Sequence, residues 1–151
     1  MFKWVKLGKI FFNSENLSLN RNISCETCHL EEFSSADGIP NAVGVGTKGK
    51  GPNRVLSGRG KFIPRNTLPL WGTGGIGFKT FFWDGKVDFL NETKISPFGD
   101  NTPSNDPLVV AVHLPAIEIG EMLVEDSKVK KYKMETTDDA LKVYQLVVDK
   151  L

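Results

Sequence analysis

The chain has 151 residues and is about 40% apolar, which fits one compact domain spanning 1–151 with a modest core. With 19 basic and 18 acidic residues the net charge is +1, so no electrostatic footprint for nucleic acid or an acidic lipid surface stands out. No window approaches the roughly 18 uninterrupted apolar residues of a membrane-spanning helix.

The opening "MFKWVKLGKIFFNSENLS" carries lysines at positions 3, 6 and 9, but its apolar run is too broken for a signal-peptide core and no small-residue cleavage site follows. If the protein is exported, its leader is expected to lie outside this numbering. Leu7, Ile10 and Phe11 sit at i, i+3, i+4 spacing with Lys6, Lys9 and Asn13 for the other side, so a short amphipathic helix is expected, ending near "NSEN".

The next segment, "ISCETCHLEEF", holds both cysteines and one of the two histidines. Cys25, Cys28 and His29 make C-x-x-C-H. Two thiols three residues apart on one helical turn suit thioether bonds to the two vinyl groups of a haem, and the adjacent imidazole then suits axial ligation of the iron. Other readings use fewer of these residues. A thioredoxin-type C-x-x-C should follow a strand in a βαβ setting, and nothing before Ser24 looks like that strand. A zinc site needs four ligands, and His113 is the one further His or Cys in the chain. A disulfide between Cys25 and Cys28 leaves His29 without a task. Covalent haem c is the expectation, and it implies an extracytoplasmic, for example periplasmic, protein.

From Gly38 to Gly77 the chain has 11 glycines and four prolines, a long run of turns of the kind that is usually functional or wrapped round something. "SPFGDNTPSNDP" is a second polar, proline-rich loop, and "DPLVVAVHL" after it suits a short helix or a strand. The last segment, "TTDDALKVYQLVVDKL", reads as a helix capped by Thr137, with Asp138 and Asp139 at its positive end and Leu141, Tyr144, Val148 and Leu151 as its apolar stripe. There is no internal repeat, and a loop-rich chain of this kind needs apolar surface to pack around, which a bound cofactor supplies.

A lone C-x-x-C-H does not choose between an electron carrier and an enzyme, because that depends on the sixth ligand of the iron. The candidates are His113, Met122, Met134 or none; His113 suits a core position equally well, and methionines at such positions are more often packing residues than ligands.

In order along the chain, "LGKIFFNSENLSLNRNISCETCH", "FSSADGIPNAVGVG", "PRNTLPLWG", "FFWDGKVDFL", "SPFGD" and "EIGEM" resemble the bacterial di-haem cytochrome c peroxidases and MauG-like proteins, from about Leu7 to Leu151. The resemblance implies the amino-terminal haem domain of that family, a mostly α, cytochrome c-like fold with long irregular loops, reducing hydrogen peroxide with electrons from a second haem domain or a donor protein. It assigns Cys25, Cys28 and His29 to the peroxidatic haem and Trp83 to an electron relay between haems. It assigns Asn66 to a calcium ion between the domains, and Arg65 beside it to a haem propionate. Glu121 matches the acid–base carboxylate that acts on peroxide, with Glu118 one turn away as the alternative.

Two departures qualify the resemblance. Where family members carry a distal histidine some 16 residues after the attachment histidine, this sequence has Val45 or a glycine, as in the branch whose first haem is open without reductive activation. The second C-x-x-C-H would lie downstream of Leu151. The chain is then a fragment, a partner of a second haem polypeptide, or a mono-haem derivative. The alternatives to a peroxidase are an electron-transfer subunit closed by His113 or a methionine, and a MauG-like enzyme that oxidises a protein side chain.

Overall fold

The computed structural model describes residues 2–58, 60–75, 77–90, 93–124 and 136–149. Among these the regular structure is mostly helical. Four α-helices stand at the two ends: α1 (Phe2–Asn13) and α2 (Cys25–Cys28), then α3 (Pro107–His113) and α4 (Thr137–Val148). The long stretch between α2 and α3 is loop. It is tied by two short antiparallel pairs: β1 (Thr47–Lys48) with β2 (Val55–Leu56), in register Thr47↔Leu56, and β3 (Thr80–Phe81) with β4 (Val87–Asp88), in register Phe81↔Val87.

The expected N-terminal helix is longer than its apolar spacing alone suggested, reaching back to Phe2, and it ends at Asn13 as expected. None of its residues is buried, and Phe2 is 83% exposed. It contacts α2, and the Phe12 ring lies 6.3 Å from that of His29, the residue that follows α2. "DPLVVAVHL" resolves as helix because Asp106 accepts from the Leu108 N–H (2.9 Å) and Pro107 occupies the first helical position, where no N–H is needed.

In α4 the cap and the buried face both differ from expectation. Thr136, one residue earlier than Thr137, has the extended backbone of a cap, and its hydroxyl accepts from the Asp139 N–H at 3.2 Å. The buried face is Ala140, Val143 and Val147, with Leu141 and Tyr144 at its border and Val148 exposed; Leu151 lies outside the described residues. The helix rests on the turn at Pro115–Ile117, and the smaller side chains of that face let it come close.

Two apolar clusters result. The larger joins α3 and α4 to the β3–β4 hairpin through Val87, Phe98, Val110, Leu123 and Val143. The smaller consists of Ile23, Val45 and Met122, with Leu17, Cys28 and Val124 packed against it. It is held by backbone contact: the Val45 N–H donates to the carbonyls of Gly120 (3.2 Å) and Glu121 (2.7 Å). A Cβ on Gly44 would lie 1.7 Å from the Gly120 carbonyl oxygen, so that approach requires glycine. The "GVG" segment therefore brings residues 120–122 beside the Cys25–Cys28 turn.

Leu123 is fully buried, so Leu123→Ala is expected to lower stability by about 2–5 kcal/mol. Thr136→Ala, which removes the α4 cap, is expected to cost about 1 kcal/mol, and Thr137→Ala much less. Denaturant titration of the three variants checks this order.

Candidate functional site

Ser24 precedes α2, and its N–H donates to Thr27 Oγ1 (3.0 Å) while the Thr27 N–H donates to the Ser24 carbonyl (3.1 Å). This closed turn places Cys25 and Cys28 at its two ends, both as free thiols. The His29 N–H donates to the Cys25 carbonyl (3.0 Å), and the chain leaves the helix there.

The imidazole of His29 is fixed from behind. Its Nδ1 lies 2.7 Å from the Ser35 carbonyl oxygen, which can only accept, so Nδ1 carries the proton and Nε2 keeps its lone pair free. The carbonyl is aimed by two consecutive left-handed residues, Ser34 (φ 55°) and Ser35 (φ 62°), inside a loop closed by the Leu30–Ala36 bridge. Ser35 Oγ in turn accepts from the N–H groups of Leu70 (2.7 Å) and Trp71 (3.0 Å). Burial lowers the pKa of His29, against the hydrogen bonds it donates to the Ser35 and Leu68 backbone and the charge of Asp37, and so favours the neutral imidazole that an iron needs.

Burial disfavours the thiolate form of both cysteines. Burial pushes Cys28 up to about 11, against the charge and hydrogen bond of Arg54, with Asp37 and Glu121 adding to the rise. Burial also raises Cys25. A reactive C-x-x-C thiol would show the opposite shift. Among the described residues no group of three His, Cys, Asp or Glu side chains is placed to hold a metal ion, so a zinc site gains no support. Two free thiols on one turn, an imidazole with Nε2 open, and exposed apolar residues such as Ile10 and Trp71 on the flanking segments fit a haem.

Two buried polar residues at this site carried no sequence signal. Asp37 is fully buried and accepts from Thr67 Oγ1 (2.9 Å) and from the Ile39 N–H (3.4 Å), tying the loop after His29 to "PRNT". Arg54 is buried and donates to Cys28 Sγ at 2.9 Å. Neither belongs to a recognisable motif, and each is defined by contacts across 26 to 30 positions of chain.

The two candidate acids separate clearly. Glu118 points outward and pairs with Lys86 (3.6 Å). Glu121 is half-buried and its pKa rises to about 7, chiefly through desolvation, then through the charge of Glu118, with Lys86 opposing. It lies near enough to Cys28 for its charge to bear on that thiol. Val45, at the position of the absent histidine, is buried against Met122 and Ile23.

Trp83 stands at the tip of the β3–β4 hairpin, 57% exposed. Phe82 before it has φ 69°, and the turn is closed by the Gly85 N–H to the Phe82 carbonyl (3.2 Å) and the Lys86 N–H to Asp84 Oδ1 (3.1 Å). The Arg65 guanidinium lies 5.2 Å from the Trp83 ring centroid, so the sequence-assigned Arg65 and Trp83 do meet, on the surface. Asn66 is exposed, its amide nitrogen 3.5 Å from the Thr67 carbonyl.

Of the candidate sixth ligands, His113 is engaged in the larger cluster. Its Nδ1 is 2.6 Å from the Val109 carbonyl and its ring 5.4 Å from that of Tyr144. Met122 is buried in the cluster that borders Cys28. Met134 lies outside the described residues.

Because the folded pKa of Glu121 is above its ordinary value, the native state holds a proton that the unfolded chain has released between pH 4.5 and about 7. Stability should therefore fall by roughly 2–3 kcal/mol as pH rises through that window and level off above it. Glu121→Gln should flatten that slope, as measured by chemical denaturation at a series of pH values.

The family model described as di-haem cytochrome c peroxidase matches residues 3–149. Neither the curated proteins nor the solved structures hold a match to the chain.

Proposed function

The chain belongs to the di-haem cytochrome c peroxidase family, which carries a haem peroxidase-type role, and on that premise we propose that it is a cytochrome c-like haem domain that reduces hydrogen peroxide outside the cytoplasm. The observation that carries this reading is Glu121: a desolvated carboxyl with a pKa near 7, beside the turn that bears Cys28 and His29. No helix among the described residues is long and apolar enough to cross a membrane.

Haem c, bonded to Cys25 and Cys28 and ligated by His29 Nε2, would supply the redox-active iron at which peroxide is reduced. Ser35 holds the imidazole in the tautomer that leaves Nε2 free. Glu121 accepts the proton of the near peroxide oxygen and returns it to the far oxygen, which leaves as water; a pKa close to 7 suits both halves of that transfer. The neighbouring walls are apolar, from Val45 and Met122, and leave the carboxyl as the proton carrier. Trp83, exposed on its hairpin, is the entry point for electrons from a second haem domain or a donor protein. Arg65, stacked on its ring, is within the same surface, and Asn66 beside it offers an amide oxygen to a calcium ion at that interface.

A second reading has its own support. Met122 is buried in the cluster that borders Cys28, and a thioether closing the distal side would make the domain an electron-transfer subunit. The ferric spectrum separates the two: a high-spin form that shifts with cyanide and peroxide is expected, and a low-spin spectrum that neither changes would establish the second reading.

Glu121→Gln should slow peroxide reduction by about 10²- to 10⁴-fold with haem content unchanged. Turnover equal to wild type would remove Glu121 from the mechanism. Trp83→Phe should slow reduction by an external donor protein while leaving cyanide binding as it was, measured by stopped-flow reduction and ligand titration.

A further inference from the structure

Arg54 is 6% exposed and lies at the attachment turn, with no task in the mechanism above. Its Nη1 donates to Cys28 Sγ (2.9 Å), and its Nη2 donates to the Gly44 carbonyl (3.1 Å) and Thr47 Oγ1 (3.2 Å). Its Nε is buried with no partner among the described residues, and no carboxylate there forms an ion pair with it. A guanidinium taken out of water with no carboxylate in direct contact is costly, and an apolar side chain of similar size would avoid that cost. The fork is nevertheless held by two oxygens of the β1 region and directed at one of the two sulfurs. At Cys25 burial and the backbone are the influences seen.

We propose that Arg54 is a positioning residue for the cofactor: its guanidinium holds the Cys28 sulfur where the second thioether forms, and leaves a fixed positive charge at that edge of the bound macrocycle. The inference rests on the haem reading above. In the bond-forming step the Cys28 S–H adds across a vinyl C=C. The sulfur bonds to the carbon next to the ring and the hydrogen ends on the terminal carbon, so no oxidant or reductant is consumed. A sulfur held in one rotamer reaches that carbon more often than a free one. Once the bond is made the charge remains, and a fixed cation favours the iron state with one more electron.

The test uses the full chain, loaded with haem in an extracytoplasmic expression system, as wild type, Arg54→Gln and Arg54→Lys. Thiols are alkylated after denaturation and located by peptide mass, the pyridine haemochrome band is recorded, and the iron is titrated potentiometrically. Wild type should show both cysteines protected. Arg54→Gln should show Cys28 alkylated in a large fraction of molecules with Cys25 protected, and a haemochrome band moved to longer wavelength by the retained vinyl group. In its doubly bonded fraction the ferrous-to-ferric ratio at a fixed potential should fall about tenfold. Arg54→Lys should restore that ratio while protecting Cys28 only in part. Should Arg54→Gln fail to fold, Arg54→Met carries the same expectations. The proposal is overturned if the neutral variant matches wild type in attachment and potential, or if the neutral variant and Arg54→Lys shift the potential equally. A wild-type chain without covalent haem would overturn the haem reading instead.

Discussion

The hydrogen bond from His29 Nδ1 to the Ser35 carbonyl is the contact on which the site depends. It decides which imidazole nitrogen is free, and so whether the side chain can serve as a ligand at all. Its geometry requires two successive residues in the left-handed region, each costing roughly 1 kcal/mol or more in a non-glycine residue. That strain is held in place by Ser35 Oγ, which takes two backbone N–H groups from the Leu70–Trp71 segment. One serine thus joins the attachment turn to a loop 35 positions away.

The loops between α2 and α3 have little side-chain core of their own and are organised by backbone and buried polar contacts. Gly44 lets the "GVG" segment touch residues 120–121, which sets Glu121 and Met122 next to Cys28. Asp37 ties the loop after His29 to Thr67, and Arg54 ties β1 to the attachment turn. Each of these links joins segments that lie far apart in the chain. The exposed apolar residues of α1 and the thin smaller cluster leave apolar surface uncovered near the Cys25–Cys28 turn, which α1 contacts.

Local features were the ones legible in the sequence. The spacing of Cys25, Cys28 and His29 defines a turn, and a turn involves only near neighbours. α1 was visible from Leu7, Ile10 and Phe11, although the same pattern suggested a burial that the described chain does not provide. In α4 the periodicity gave the helix but misplaced its face by one position. The docking surface selected Ala140, Val143 and Val147, while the pattern favoured the larger Leu141 and Tyr144. The cap moved likewise, because two adjacent threonines are equivalent in sequence and differ only in which one has the extended backbone of a cap. The resemblance pointed to both Glu118 and Glu121; burial separated them, since one reaches Lys86 at the surface and the other is desolvated.

The sequence by itself determined the C-x-x-C-H spacing, the two terminal helices, the loop-rich middle and the family, because each of these resides in short spacings or in the order of motifs. Only the tertiary structure decided that Nε2 is the free nitrogen of His29, that Glu121 rather than Glu118 is the acid with the raised pKa, that His113 packs against Tyr144, and that Arg54 reaches Cys28. These depend on desolvation and on contacts between residues far apart in the chain. Neither is written in the identity of a residue or its neighbours; both arise when the loops close on one another.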